Sequence, residues 1–407
     1  MIPLENNSIA AGYKDSAVGI IPQEWDVKRV KDLGSVITGS TPPTADVSNY
    51  GSEYMFVSPA DLSDNQKYVL STEKMLSSKG YAISRKMPKG TILYTCIGST
   101  IGKIGIASRE LTSNQQINAV ICNDKTEYLY YALLFTTGRI KMLAGEQAVP
   151  IINKSEFENI KLAVPPMAEQ RKIAEILGVW DEAIEKQSRL IEKLELRKRA
   201  LMQRLLTGRT RLPGFIDDVQ YKKLKPFIVE KSERNTNQTY TNVLSVTNNR
   251  GFINQAEQFD REVASDNTAN YKLVHRGQFA YNPSRVNVGS LDLLQTYDLG
   301  ILSPMYIVFE TRPTMDPKFL YYQLKSGWFV GHIPMYVQGS VRDSLSFDGL
   351  ENMKFWIPSL PEQKAIAEVL TSADNEIATH RKKLDALRQQ KRGLMQQLLT
   401  GKTRVKI

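Results

Sequence analysis

The chain has 407 residues, 42% of them hydrophobic, with 53 Lys and Arg against 43 Asp and Glu and a net charge of +10. That length supports two or three domains with real cores, and the ordinary composition argues against disorder. No apolar run approaches the ~20 residues of a membrane span, and the start Met1-Ile-Pro-Leu-Glu-Asn6 lacks a secretory pattern, so a cytoplasmic protein is expected.

The positive excess favours a polyanionic partner, most commonly nucleic acid. Cys96 and Cys122 are the only cysteines. They make no metal spacing, and a single disulfide is not expected in a reducing compartment.

In chain order, residues 1–24 read as a lead-in, and a folded segment starts at Trp25. Gly39-Ser-Thr-Pro-Pro43 is a turn. Strand-like runs follow at Tyr54–Ser58, Thr91–Thr95, Ile101–Ala107 and Ile117–Cys122, separated by Gly, Ser and Asn turns. Tyr128–Phe135 reads as a short helix and Ile160–Val164 as a closing strand. Residues 1–164 are thus expected to form one α+β domain.

Pro165-Pro166 then gives way to a long amphipathic stretch, residues 165–211, which recurs as residues 358–407. Glu169-Gln-Arg-Lys-Ile-Ala-Glu-Ile-Leu177 matches Glu362-Gln-Lys-Ala-Ile-Ala-Glu-Val-Leu370. Lys198-Arg-Ala-Leu-Met-Gln-Arg-Leu-Leu-Thr-Gly208 matches Lys391-Arg-Gly-Leu-Met-Gln-Gln-Leu-Leu-Thr-Gly401. One constant offset aligns the two without a gap, and nearly half of the aligned positions are identical, which marks an internal repeat.

Apolar residues in the first copy fall on a heptad ladder: Ile173, Leu177, Trp180, Ile184, Ile191, Leu194, Leu201 and Leu205. The second copy repeats it from Ile366 to Leu398. A seam of this kind is buried against a partner helix in a coiled coil, although one face of a globular core is the simpler alternative. Gln187/His380 and Lys198/Lys391 are polar rungs, which weaken a seam but fix its register. Gly178 and Thr371-Ser372 are possible bend points, and Ser359-x-x-Glu362 fits a capping box.

A second domain, residues 212–357, echoes the first. Lys89-Gly90-x3-Tyr94-x7-Gly102 recurs as Arg276-Gly277-x3-Tyr281-x7-Gly289, and Leu129-Tyr130-Tyr131 recurs as Leu320-Tyr321-Tyr322. Between these anchors the domains differ, as expected of one scaffold reading two ligands. The expected fold is α+β: two similar α/β domains separated by two long antiparallel helices that form a coiled coil, with approximate two-fold symmetry. Antiparallel packing would put one domain at each end of a rod. A seam of about 33 residues spans roughly 50 Å at 1.5 Å per residue, against about 34–36 Å for one turn of DNA.

No catalytic constellation emerges. His275, His332 and His380 are scattered, and no His/Cys/acid cluster has metal spacing. Gly98–Lys103 resembles a phosphate loop but is one spacer short, with Ile104 in place of the Ser/Thr that would hold magnesium. Asn282-Pro283-Ser284 resembles the Asn-Pro-Pro-aromatic loop of adenine methyltransferases, without its second proline or aromatic.

What remains are polar loops suited to contact. In the first domain the candidates are Ser40, Thr41, Ser99, Thr100, Lys103, Gln115, Gln116 and Gln147. In the second they are Asn248, Asn249, Arg250, Asn282, Ser284, Arg285, Asn287, Ser340 and Arg342. Asn, Gln and Arg make bidentate contacts to base edges, while Lys, Ser and Thr mostly hold phosphates. The same residue types also abound in ordinary surface turns.

Two variable domains, each followed by Pro-x-x-Glu-Gln-x-x-Ile-Ala-x-x-Leu and ending Leu-Met-Gln-x-Leu-Leu-Thr-Gly, resemble the specificity subunit of type I restriction–modification systems. The resemblance covers essentially the whole chain and is strongest in the helical repeats. It implies that each recognition domain reads one half of a bipartite site in double-stranded DNA, while the helices set the spacing. It implies a subunit with no catalytic activity and no cofactor of its own. Two modification subunits would bind S-adenosylmethionine and methylate adenine, and two restriction subunits would use ATP and magnesium. The regions 169–184 and 362–377 would dock the modification subunits. The alternatives are a coiled-coil assembly scaffold that binds no DNA, and a self-contained methyltransferase or nuclease.

Overall fold

The computed structural model describes residues 10–63, 65–122, 126–144, 149–216, 221–255, 267–337 and 344–407. The chain divides into two compact units, the first running up to Ile191 and including His380–Ile407, the second comprising Glu192–Thr379.

In the first unit, strands Ser35–Thr38, Ile117–Ile121, Ile92–Thr95 and Ile104–Ala107 lie side by side in that order, each antiparallel to the next, and Tyr68–Val69 adds a parallel edge. The central strands are buried on both faces, so they read as continuous apolar runs rather than alternating ones. One face packs on the helix Thr126–Leu143 around Tyr94, Tyr131 and Phe157. The other meets a second, four-stranded sheet through Met55, Met87 and Leu93.

Several expected elements shift, and the strand expected at Tyr54–Ser58 runs from Tyr50 to Val57. The helix expected at Tyr128–Phe135 runs from Thr126 to Leu143. Thr136 and Thr137 do not stop it, because their hydroxyls donate back to the carbonyls of Ala132 and Leu133, and Ile140 continues its buried face. The strand expected from Ile101 starts at Ile104, since Gly98–Gly102 is a turn in which Gly102 has φ +94°.

The second unit repeats this core. Strands Ile228–Lys231, Ile307–Thr311, Phe279–Tyr281 and Leu291–Leu293 lie in the corresponding order, all antiparallel. The repeated glycine spacing has a conformational cause. Gly90 and Gly277 take φ +86° and +88°, and Gly102 and Gly289 take +94° and +101°. These four positions bound the same hairpin in each unit and demand a left-handed backbone.

The long helices run Met167–Leu205 and Leu360–Leu399, continuous through Gly178 and Thr371-Ser372. In the first unit Gln187 meets His380, Asp181 meets Lys391 and Glu169 meets Arg404. Numbers rise on one helix as they fall on the other, so the seam is antiparallel. In the second unit Lys198 meets Asp374 and Arg211 meets Glu362, in the same sense. Ile173, Leu177, Ile184, Ile366, Leu370 and Ile377 are buried.

The repeated polar residues have equivalent jobs in both units. Glu169 is buried and accepts from Arg404 Nε at 2.8 Å and from Trp25 Nε1 at 3.0 Å. Glu362 is buried and accepts from Arg211 Nε and Nη2, both at 2.7 Å. This use of Glu362 replaces the expected capping box with Ser359. Gln170 and Gln363 donate to the carbonyls of Pro165 and Pro358, fixing the entry into each helix. Lys391 binds Asp181 and lies 5.2 Å over the Tyr131 ring, and Lys198 binds Asp374 and lies 5.4 Å over Tyr322.

Candidate nucleic-acid interface

In the first unit the candidate loops leave neighbouring strands and converge. Gly39 N donates to Ile117 O and Ser40 N to Ser113 O, both at 2.9 Å, which lays the turn after Thr38 against residues 113–117. Thr41 Oγ1 then donates to Gln115 Oε1. Cys96 N donates to Gln116 O at 2.8 Å, bringing in the hairpin loop that carries Ser99 and Thr100. A Cβ placed on Gly98 would lie 3.8 Å from Gln116 Nε2. Ser40, Thr41, Gln115 and Gln116 therefore form one patch, with the Ser99–Thr100 turn beside it.

Lys103 behaves differently. Its Nζ donates to Pro59 O at 3.1 Å, so it braces a neighbouring loop, and the Gly98–Lys103 turn does not aim its lysine at a phosphate cradle. Gln147 lies outside the described residues. Burial among apolar neighbours pushes the Cys96 thiol up to about 12, which keeps it protonated and unreactive at neutral pH.

Arg85 was not among the sequence candidates, yet it belongs to this patch. Its backbone N–H donates to Ser40 Oγ at 3.0 Å and its Nη1 to Thr38 O at 2.8 Å. The neighbouring Lys86 is exposed and lies 4.8 Å over the Tyr81 ring. The available signal was the Arg85-Lys86 pair just ahead of Pro88-Lys89-Gly90, a basic run entering the repeated hairpin.

In the second unit, Asn248, Asn249 and Arg250 form the exposed turn of the hairpin Leu244–Thr247/Gly251–Asn254. The loop 282–290 lies against it. Ser290 Oγ donates to Val246 O at 2.8 Å, and a Cβ on Gly289 would lie 3.6 Å from Asn248 Cα. Asp292 Oδ2 accepts from Phe252 N at 3.2 Å, bracing the turn from below. Burial raises the Asp292 carboxyl above its usual range and lowers the nearby Lys325 ammonium.

Within loop 282–290, Val286 is buried as an anchor, while Ser284, Arg285 and Asn287 are exposed. Asn282 is spent locally: its Oδ1 accepts from Ser284 N at 3.0 Å and its Nδ2 donates to Met305 Sδ at 3.3 Å. That accounts for the Asn-Pro-Ser sequence as loop structure. The structure brings Asn248–Arg250 together with Arg285 and Asn287 on one polar, basic surface. Ser340 and Arg342 lie outside the described residues.

Such surfaces offer amides, hydroxyls and guanidinium groups, the chemistry for gripping phosphates and base edges. No cluster of three His, Cys, Asp or Glu side chains able to hold a metal occurs among the described residues. No helix among them is long and apolar enough to cross a membrane.

Comparison with known proteins agrees with this duplication. The family model described as type I restriction modification DNA specificity domain matches twice, at residues 22–196 and 215–389. The MjaVIII specificity subunit of Methanocaldococcus jannaschii is 26% identical over 412 residues, covering 95% of this chain and 94% of that one. The MjaIX specificity subunit of the same organism is 35% identical over 196 residues, and there the match spans 45% of each protein. Among solved structures, the type I restriction–modification S subunit from M. genitalium aligns over 92% of this chain and 96% of its own. Its TM-score is 0.56 at 16% identity, a likeness of fold.

Proposed function

The chain belongs to the type I restriction–modification DNA specificity family, and on that premise we propose that it is the DNA-reading subunit of such a complex. Specificity subunits are the non-catalytic components of these systems. Each recognition domain reads one half of a bipartite site in double-stranded DNA, and the paired helices set the distance between the halves. Two modification subunits and two restriction subunits assemble on it in the cytoplasm. S-adenosylmethionine, ATP and magnesium belong to those subunits.

The observation that carries this reading is the repeated antiparallel core whose loops differ in chemistry. The scaffold is kept, with the same strand order and the same left-handed glycines. The contact loops are not: Ser40, Thr41, Gln115 and Gln116 on one copy, Asn248–Arg250, Arg285 and Asn287 on the other. Two readers of one ligand class with different sequences have this form.

The test is to map methylated adenines in the host genome with and without this gene. Residues 1–164 are then replaced by the corresponding domain of a relative. The proposal expects a bipartite methylated motif that depends on the gene, with one half altered by the exchange and the other retained. A motif unaffected by deletion, or changed in both halves by the exchange, would overturn it.

A further inference from the structure

We propose that Arg85 reads a guanine in the half-site of the first unit, through the edge of its guanidinium that the fold leaves open. This role deepens the DNA-reading proposal and rests on it.

Arg85 lies between the short helix Ser78–Ile83 and the strand Lys86–Met87. That strand is an edge of its sheet and pairs with Leu111–Ser113, Lys86 opposite Thr112. The register carries Arg85 to Ser113, where the chain turns into Asn114–Gln116. The turn after Thr38 reaches the same place. A Cβ on Gly39 would collide with Asn114 O and Ser113 O, so glycine is what lets the turn lie this close.

Arg85 holds this turn from two directions. Its backbone N–H donates to Ser40 Oγ at 3.0 Å, and its Nη1 donates to Thr38 O at 2.8 Å. The residue is exposed. Among the described residues, neither its Nε nor its Nη2 takes a partner, and no carboxylate pairs with it.

A guanidinium is planar, so one bond to a carbonyl at a strand end restrains the whole fork. The Nε–Nη2 edge is left to present two parallel N–H groups, the pattern that meets guanine O6 and N7. Restraint before contact also leaves less side-chain entropy to lose on contact. A phosphate asks mainly for a positive charge within reach, and the exposed Lys86 and Lys89 of the same run supply that on flexible stems.

The neighbours fit this role. Ser40, Thr41, Gln115 and Gln116 carry no charge, and Lys103 is spent on Pro59 O. Gln115 is exposed, and its Oε1 is held by Thr41 Oγ1, so a second polar side chain across the turn is fixed at one edge in the same way. Arg85 brings to this surface what Arg250 and Arg285 bring to that of the second unit.

The test offers a randomised duplex library to the complex assembled with its modification subunits and reads the bound sequences. The wild type should select a bipartite motif with a guanine in the half that exchange of residues 1–164 alters. Arg85→Ala should lose the preference at that one base pair, by roughly five- to hundredfold, and leave the other half-site unchanged. The backbone bond to Ser40 survives this substitution, and melting curves check that the unit stays folded. Arg85→Lys keeps the charge without the fork and should lose the same preference while retaining the salt dependence. Replacing the guanine by 7-deazaguanine removes the N7 acceptor. It should weaken the wild type severalfold and leave Arg85→Ala unaffected. A residue that merely holds the turn would relax several positions when removed and leave both proteins equally sensitive to the deaza base, which overturns the inference. So does a half-site without guanine, and so does uniform weakening across sequences rescued by lysine, which would make Arg85 a phosphate contact. A wild-type motif that survives Arg85→Ala intact removes Arg85 alone. A wild-type complex that selects no motif overturns the DNA-reading proposal as well.

Discussion

Gln187 and His380 occupy the same place in the two helical repeats and bond to each other. Gln187 Nε2 lies 2.8 Å from His380 Nδ1 and 2.9 Å from His380 O. Gln187 is buried, so this pair is a polar rung inside the seam rather than a surface contact. A double-mutant cycle of Gln187→Ala and His380→Ala, read by thermal melting, should give a coupling of about 0.5–1.5 kcal/mol. Strict additivity would mean that the rung holds nothing.

The lysine rungs should matter more. Lys391 and Asp181 are both largely buried, and Tyr131 donates to the same carboxylate. Removing one charge strands the other, so Lys391→Met should cost about 3–5 kcal/mol. Lys391→Met combined with Asp181→Leu should recover most of that loss. Lys198 and Asp374 are more exposed, and Lys198→Met should cost less.

Tyr281 closes the strand that enters the contact loop of the second unit, and its hydroxyl is buried without a partner. Tyr281→Phe should therefore be neutral or stabilise by up to about 1 kcal/mol at pH 7, since an unpaired hydroxyl is costly to bury. Burial raises the Tyr281 phenol in the folded state, as it does those of Tyr94, Tyr128 and Tyr131. A raised folded value means these groups contribute stability fully below the unfolded value near ~10, and lose it as pH climbs above that. Melting temperature should fall steeply above about pH 10, and less steeply in Tyr281→Phe. Equal alkaline slopes would contradict the assignment.

Gly401 takes φ +71°, and a Cβ there would lie 2.3 Å from Pro22 Cγ. Gly401→Ala combines a strained backbone with a clash and should cost roughly 1–3 kcal/mol. Melting curves of the variant against wild type check this, and an unchanged curve would place the lead-in elsewhere.

The helices and their seam were legible because heptad spacing and a gapless repeat leave few alternatives. The repeated glycines marked the hairpins for the same reason: only one backbone conformation suits them. The loops were less legible. Lys103 reads from sequence as a candidate contact, and the partner its Nζ takes within the fold, Pro59 O, is distant in sequence and invisible to local pattern. Arg85 was missed for the mirror-image reason, since it reaches Ser40 and Thr38 from about forty-five residues away. Ser359 and Glu362 spelled a capping box, yet Arg211 supplied a stronger, charged partner.

Arg250 and Arg285 are exposed on the candidate surface of the second unit. Alanine at either should weaken DNA binding of the assembled complex by about 1–3 kcal/mol if it reads a base, with relaxed sequence preference confined to one half-site. Uniform weakening across sequences, with a smaller salt slope, would assign the residue to phosphate instead. No change in affinity or preference would remove it from the interface.

The claim that the paired helices set the spacing is tested most directly by lengthening both. One heptad inserted into each helix at matched positions adds roughly 10 Å at 1.5 Å per residue, or about 3 base pairs of DNA at 3.4 Å each. Methylated-motif mapping should show both half-sites unchanged and the gap between them longer by about that amount. The same gap in a complex that still methylates, or altered half-sites, would contradict the account.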